Sequence, residues 1–582
     1  MINFVAQISF DGINKEQKIY LDTTSKNIPS PYSVKSYQDQ NTQIKYSICN
    51  NNEFIKKTSD NKFLILAFIC AEDRVKIRQI LKIPDVDIKT DPELVLDLYL
   101  ICGEDQLKIL SHGFVFILVD YHNKTVKAFR DHIGIKNICY YQLDSTIYLS
   151  SSFKNLFKLS HLSHTINQDK VNDFLKFNDR SASDTFTNEI KKVPPMKALH
   201  FCEETLNIYR YSNYETNRSF VPHVNQIKGL KKLLMQSVAI EESSNNSRIG
   251  FLFSGGIDSS TVITFFRKQK RANEEIFSFS AQYKHIDQNI KHLIDESEFQ
   301  NEILKLDDVN EFPFNGEDES TLSNLEFYLD IIGQPFFFPN LYLTNRAFNL
   351  ANENNVSIVM NGNDGDGVVS HGYEYLLELF FSLRWVRLYR EINATSKTRQ
   401  QSKRFIFNKI ILKNISFQSF IERSSRKKHL EVVLSNNHNK AIEIQTLLAD
   451  HYGIHERYPF YNRDVIEYCI NVSPELKNKN GQSRFILKEA IRGIVPEKIR
   501  TRITKSNLGH ALCIGYANKD RAVIQEQFSK PHALIKDIID VKNLQKSFHS
   551  LLKNPRKYST RSQIPSQIFS YTVLNKWLNK HY

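Results

Sequence analysis

Within seven residues, Ser254-Gly255-Gly256-Ile257-Asp258-Ser259-Ser260 brings together two glycines, three hydroxyls and one carboxylate. The stretch follows an apolar run at 249–253 and precedes a helical pattern at 261–268. Glycines at such a strand-to-helix turn let the backbone approach an anion closely, and the free N–H groups at the helix start present positive potential to it. The serine hydroxyls add donors for phosphate oxygens. Asp258 would repel a bare phosphate, so its presence makes sense if it holds a Mg²⁺ that bridges to pyrophosphate. The loop has no lysine where a GxxxxGK[ST] phosphate loop requires one, and it does not match GxGxxG. A second carboxylate is needed to complete the metal site. The candidate is Asp366, in Gly362-Asn363-Asp364-Gly365-Asp366-Gly367 after the apolar run 356–360, 108 residues further along (366 minus 258).

Both segments follow apolar runs, and an open parallel sheet gathers its ligands beyond the carboxyl ends of its strands. From residue 226 the pattern agrees: helical spacing over 226–239, then strand, glycine-rich turn, helix, strand, helix and strand through Met360. This alternation predicts a doubly wound, parallel-sheet α/β unit over 226–582, completed by C-terminal helices. Residues 1–214 read differently. The run Phe114-Val115-Phe116-Ile117-Leu118-Val119 predicts a strand buried on both faces. Further runs at 125–130, 138–142 and 146–150, joined by short polar turns, predict an antiparallel, sheet-rich α+β unit. Residues 215–225 are the expected linker. Residues 391–430 form a Lys/Arg/Ser-rich helical stretch without a legible role.

Composition narrows the class. The 582 residues are 41% hydrophobic and 24% charged, with 19 Gly and 16 Pro, which excludes collagen-like, wholly disordered and disulfide-scaffold chains. The longest apolar runs, 63–71 and 113–119, are about half a membrane span, and no basic segment leads an apolar core at the start. Seven cysteines, at 49, 70, 102, 139, 202, 469 and 513, are odd in number and never spaced CxxC. That predicts free thiols in a reducing, hence cytoplasmic, compartment. The net charge of +13 (77 basic minus 64 acidic residues) is compatible with several partners. No signature of a nucleic-acid module accompanies it. Neither nucleic acid nor membrane is an expected partner.

The loop at 254–260 resembles the pyrophosphate loop of the ATP-pyrophosphatase superfamily, whose members cleave ATP between its α and β phosphates. Over almost its whole length the chain resembles the class B asparagine synthetase family. The N-terminal matches are Thr90-Asp91-Pro92-Glu93, Ser111-His112-Gly113-Phe114-Val115-Phe116 and Arg130-Asp131-His132-Ile133-Gly134-Ile135-Lys136. Downstream come Asp295-Glu296-Ser297-Glu298, Tyr458-Pro459-Phe460-Tyr461-Asn462, and the late helix Gly481-Gln482-Ser483-Arg484-Phe485-Ile486-Leu487-Lys488-Glu489-Ala490. The resemblance implies a glutaminase-like antiparallel sandwich, an ATP-pyrophosphatase domain after it, ATP as substrate and Mg²⁺ as cofactor.

Departures from the family pattern are as informative. A family glutaminase needs Cys at position 2, where this chain has Ile2, and its NGE segment reads Asn50-Asn51-Asn52-Glu53. Glutamine hydrolysis is therefore not expected. The GEGxDE-like segment carries Asn363 in place of an acidic residue that handles the amino group of aspartate, and Gly367 in place of the closing Glu. The metal carboxylate is kept while the amino-acid pocket is changed. Val368-Val369-Ser370-His371-Gly372, and Lys505-Ser506-Asn507-Leu508-Gly509 after Arg500 and Arg502, resemble the asparagine-synthetase-like cyclases of lasso peptide clusters.

The implied reaction starts with carboxylate attack on the α-phosphorus of ATP, giving an acyl-adenylate and pyrophosphate. In it Asp258 and Asp366 would hold Mg²⁺, and Ser254, Gly255, Gly256, Ser259 and Ser260 would cradle pyrophosphate. Arg484 and Lys505 would neutralise its charge, so that Asp366, Arg484 and Lys505 are the catalytic candidates. Backbone near Leu252, Ser280 and Gly362 would contact adenine. His371 is a candidate base, and Glu326 and Asp330 are helix-spaced carboxylates within possible reach of a substrate amine. Three readings follow: a macrolactam-forming cyclase of a precursor peptide, partnered by a cluster protease; an ammonia-using synthetase or amidotransferase of a small carboxylate; and a binding protein on a synthetase fold. In the first, the basic stretches 391–430 and 498–505 would grip an acidic leader segment.

Overall fold

The computed structural model describes residues 2–13, 19, 33–48, 53–84, 86–178, 181–216, 221–240, 247–305, 308–415, 422–503, 506–559 and 562–582. The first half builds two six-stranded antiparallel sheets. In one, Ile2–Ser9 lies centrally between Thr42–Ile48 and Thr146–Ser150. In the other, Val115–Asp120 lies between Phe63–Phe68 and Thr125–Arg130. Successive side chains of a strand alternate between faces. Val115, Ile117 and Val119 accordingly meet Phe4, Ala6, Ile8 and Leu149 in the core between the sheets. Phe116 and Leu118 face outward and pack with Leu94 and Leu98 of the helix Asp91–Cys102. Both faces of this strand are covered, which is why its sequence shows no polar alternation.

The second half is a five-stranded parallel sheet in the order Val309–Asn315, Glu274–Gln282, Ser247–Leu252, Ile358–Asn361, His455–Arg457. Numbered along the chain that order is 3-2-1-4-5, so the winding reverses at Ser247–Leu252. In a doubly wound sheet the crevice opens at such a reversal, beyond the carboxyl ends of the strands. The helix expected from 226 begins at His223, with Leu230 and Leu234 buried on its inner face. The last helix, Ile564–His581, buries Phe569, Leu574 and Trp577 in a cluster that also holds Val171 and Phe174 of the first half. Trp577 Nε1 donates to the Gly333 carbonyl at 3.0 Å.

Other contacts join the halves. His132 Nε2 lies 2.7 Å from the Tyr461 carbonyl oxygen, and Arg463 N donates to the Ser111 carbonyl at 2.9 Å. Lys192 pairs with Glu443 at 3.0 Å, and Arg457 with Glu72. Burial raises the Glu443 carboxyl, but Lys192 and Arg130 outweigh it and hold the group below its ordinary value. The described cysteines are free thiols, and Cys49 lies outside the described residues. Among the described residues no helix is long and apolar enough to cross a membrane.

Candidate active site

The loop 254–260 leaves the central strand and enters the helix Ile257–Gln269, whose N-cap is Gly256 and whose first turn holds Asp258. Gly255 turns the chain at φ +76°, a region that a side chain strains, and a Cβ there would also crowd the Gln300 amide. The second loop arrives from Ile358–Asn361, the neighbouring strand. A Cβ on Gly362 would overlap the backbone of Asp258 and Ser259, and one on Gly365 would lie 2.5 Å from Asp258 Oδ1. Glycine at 362 thus lets the two loops touch backbone to backbone, and glycine at 365 leaves room for the Asp258 carboxylate. A third loop brings Arg484, at φ +55°, to the start of the helix Phe485–Ala490. Its Nη1 donates to Asp258 Oδ1 at 2.8 Å and to Oδ2 at 2.7 Å.

These loops wall a cavity of about 830 Å³, lined by Leu252, Ser254, Gly256, Asp258, Ser259, Gly362, Asp366 and Arg484 among others. Eight of the expected site residues therefore share one space. Gly255, Ser260 and Ser280 are not in its lining. Ser260 and Ser280 are buried, and their hydroxyls have no partner among the described residues. Ser280 follows Phe279, which faces the cavity, so strand alternation turns its side chain to the opposite face. Lys505 lies outside the described residues, as do positions 50–52 of the NGE-like segment. His371 lines the cavity with Nε2 3.9 Å from Asp366 Oδ2. Glu326 and Asp330 are not brought to the cavity; they pair with Lys576 and Lys580 at 3.0 and 3.1 Å.

Further residues complete the lining. Towards the strands Glu274–Gln282 and Val309–Asn315 the wall is apolar, with Phe279, Ala281 and Phe314 beside Leu343 and Ala347. Towards the late helix it is cationic, with Arg484, Lys488, Arg399 and Arg502. Arg502 donates to both Glu296 oxygens at 2.7 Å. Burial and the nearby Arg484, Arg500 and Arg399 hold the Lys488 ammonium down to about 8. Asn363 Nδ2 donates to Gln445 Oε1 at 2.7 Å, and Gln445 Nε2 donates to Glu456 Oε1 at 2.5 Å. Burial pushes the Glu456 carboxyl up to about 8, and its hydrogen bonds offset that only in part. Burial behind Asn363 thus favours the neutral form of Glu456. An apolar slot beside a cationic, helix-capped loop suits an aromatic base carrying phosphates. Carboxylate oxygens of Asp258 and Asp366 in the same wall are the hard donors that Mg²⁺ takes.

A family model described as asparagine synthase matches residues 229–579. The chain belongs to the asparagine synthase family. A second model, described as a glutamine amidotransferase domain, matches residues 75–212. Asparagine synthetase [glutamine-hydrolyzing] 1 of Bacillus subtilis (strain 168) is 21% identical over 454 residues, covering 71% of this chain and 70% of that one. Asparagine synthetase [glutamine-hydrolyzing] 3 of the same organism is 25% identical over 201 residues, covering 34% of this chain and 33% of that one. The alignments therefore span a third of one relative and more than two thirds of the other. Among solved structures, glutamine phosphoribosylpyrophosphate amidotransferase from B. subtilis, complexed with ADP and GMP, is 10% identical at a TM-score of 0.22. It covers 40% of this chain and 51% of that one. Membership of the asparagine synthase family implies use of ATP.

Proposed function

We propose that this protein activates a carboxylate with ATP and joins it to an amine as an amide, and that both groups belong to one peptide, which closes as a macrolactam. The observation that carries the first step is the meeting of Asp258, Asp366 and Arg484 in one cavity at the reversal point of the sheet. Ser254, Ser259 and the helix N–H groups of the loop bind the leaving pyrophosphate, while Arg484 and Lys488 oppose its charge. Arg484 keeps its proton, so its role is electrostatic. Because these groups are fixed before substrate arrives, little reorganisation is needed as charge develops. Asp258 and Asp366 would hold Mg²⁺, which when bound supplies further neutralisation of phosphate charge.

Two observations support an internal amine. Asn363 lines the cavity with its amide on Gln445, so that position offers no carboxylate for the ammonium of a free amino acid. In the N-terminal half, Ile2 has no nucleophilic atom, and the amidotransferase match begins only at residue 75. Burial pushes the thiols of Cys70 and Cys139 up to about 12, so neither is a thiolate at neutral pH. We take this half to have no glutaminase activity. A second reading, ammonia-dependent amidation of a small carboxylate, is favoured by the asparagine synthetases among the relatives.

The test incubates the protein with ATP, Mg²⁺ and short peptides that have an N-terminal Gly and an internal Asp or Glu, among them peptides encoded beside its gene. Parallel reactions contain free aspartate or glutamate with ammonium or glutamine. Mass spectrometry should find a peptide lighter by one water, with AMP and pyrophosphate formed in step. AMP formation confined to the free amino acid with ammonium would replace the cyclase with the second reading. Turnover with glutamine would restore the glutaminase.

A further inference from the structure

The segment 383–415 contains nine basic residues and one acidic residue, Glu391, a net +8 within a chain whose total is +13. Among the described residues, no ion pair joins any of the nine to a carboxylate. Glu391 is itself engaged, accepting the Gly481 N–H at 3.2 Å. The other basic stretch behaves oppositely: Lys498 pairs with Glu298 at 2.6 Å, Arg500 with Glu497 at 2.7 Å and Arg502 with Glu296 at 2.7 Å. Its described cations are already neutralised. The expectation of an anionic partner loses its support at 498–505, and within 391–430 it keeps it only up to residue 415, since Lys427 pairs with Glu422 at 2.9 Å.

This cationic segment also exposes apolar surface. The helix Trp385–Arg399 buries Leu388 and Ile392 against Leu376, Leu379, Ile406 and Ile410. Its outer face and the residues before it leave Leu383 69%, Val386 69%, Tyr389 60% and Trp385 47% exposed. Arg384, Arg387, Arg390, Lys403 and Arg404 are exposed alongside them. Isolated exposed apolar residues are ordinary, whereas a contiguous patch rimmed by charge marks an interaction surface. The helix does not end away from the chemistry. Thr398, Arg399 and Gln401, at its C-terminal end, line the cavity, and the Arg399 guanidinium lies 5.7 Å from the Tyr373 ring centroid. From Trp385 to Arg399 the helix spans about 21 Å at about 1.5 Å per residue.

We propose that this outer face, from Leu383 to the cavity rim, is the docking surface for an acidic peptide segment bearing apolar side chains, whose reacting end lies in the cavity. The inference rests on the peptide-substrate reading above and gives that substrate its recognition chemistry. Carboxylates of the segment meet Arg and Lys that have no carboxylate partner among the described residues, while its apolar residues cover Leu383, Val386 and the two aromatic rings. Single-stranded nucleic acid would be held by aromatic platforms, and the aliphatic Leu383 and Val386 have no ring face to stack on. A membrane would meet a plane of apolar residues, whereas here the cationic stripe continues along the helix to the cavity.

The experiment measures fluorescence anisotropy of a labelled peptide of mixed glutamate and leucine against the full chain. An all-glutamate peptide of equal charge, a labelled single-stranded DNA and vesicles with a quarter of anionic lipid serve as alternatives. The mixed peptide should bind tightest. R384E/R387E/R390E and, separately, W385A/Y389A should each weaken it by about tenfold or more, the first with loss of salt dependence. Asp366→Asn should leave this binding intact while removing AMP formation, which separates failure of the surface from failure of the proposed reaction. Unchanged peptide binding in both surface variants overturns the proposal. So does tighter binding of the DNA or the vesicles than of the mixed peptide.

Discussion

The turn Arg130–Lys136 in the first half and the loop 254–260 in the second are both polar, glycine-containing connections, and both carry family resemblance. Their charges are used in opposite ways. Arg130 is buried, and its guanidinium donates to the carbonyls of Lys136, Val193 and Gly134 at 2.8, 2.8 and 3.0 Å. Asp131 accepts from the backbone N–H groups of Ile133, Gly134, Ile135 and Lys136 at 2.6 to 3.1 Å. His132 then reaches across to Tyr461. The Arg130 and Asp131 side chains are satisfied within the protein, and the turn becomes the joint that seats one half on the other. Asp258 and Arg484 pair with each other at the wall of a cavity, where phosphate or metal can join the pair. A closed set of partners makes a charged motif a fastening, and a set open on a cavity makes it chemistry.

Substitutions on the two sides should therefore separate cleanly. Asp366→Asn and Arg484→Ala should each lower AMP formation by about 10² to 10³, the effect of removing one preorganised electrostatic group, with the thermal midpoint close to that of the parent. Arg130→Ala should do the reverse. It leaves buried carbonyls unpaired and removes a cation beside Glu443, 3.9 Å away, so a loss of about 3 to 5 kcal/mol in urea denaturation is expected. The kcat of its folded fraction should be unchanged. A stable Arg130→Ala with impaired turnover would erase the distinction.

A smaller effect belongs to Asp73, which is fully buried and accepts from Ser111 N at 3.0 Å, Ser111 Oγ at 3.1 Å and His112 N at 3.1 Å. Burial raises its carboxyl, but His112, Lys76 and the Ser111 N–H outweigh that and hold it down to about 2, from 3.8. A depressed carboxyl favours folding above its unfolded value, and that share is lost as pH falls through the folded one. Between pH of about 4 and 2 the parent should lose about 2 kcal/mol that Asp73→Asn does not. Urea midpoints of the two proteins at several acid pH values check this. Parallel acid profiles would mean that folding leaves the Asp73 pKa unshifted.

What could be read in the chain followed from how local each signal is. The loop 254–260 and Asp366 lie directly after apolar runs, and a strand end fixes where its loop emerges, so their meeting was legible once a parallel sheet was expected. The 3-2-1-4-5 order that makes them neighbours is set by packing of distant helices and has no local trace. Gln445 and Glu456 reach Asn363 only through the fifth strand and the helix beside it. Lys488 had a signal, since it stands four residues after Arg484 and so on the same face of a helix. Lys505, named through the resemblance of 505–509, lies outside the described residues. The Ser280 side chain turns away from the cavity that Phe279 and Ala281 line, because successive strand residues face opposite sides.

Lys488 also gives the finest test of the open side of the comparison. Its ammonium lines the cavity and is held down to about 8 by burial first, then by Arg484, Arg500 and Arg399. Nζ donates to the Arg502 carbonyl at 3.3 Å, which leaves donors for a phosphate oxygen. Below that pKa the cation is present to receive ATP, and above it the site loses one positive charge. The kcat/KM for ATP reports the free enzyme, so it should fall by up to about tenfold as pH rises from about 7 to 9. Bound phosphates favour the charged form, and kcat should therefore break at higher pH or not at all. Lys488→Arg keeps its charge throughout and should flatten the kcat/KM profile, while Lys488→Met should flatten it at the lower level. A break retained in Lys488→Arg would assign the titration to another group and place Lys488 among the fastenings.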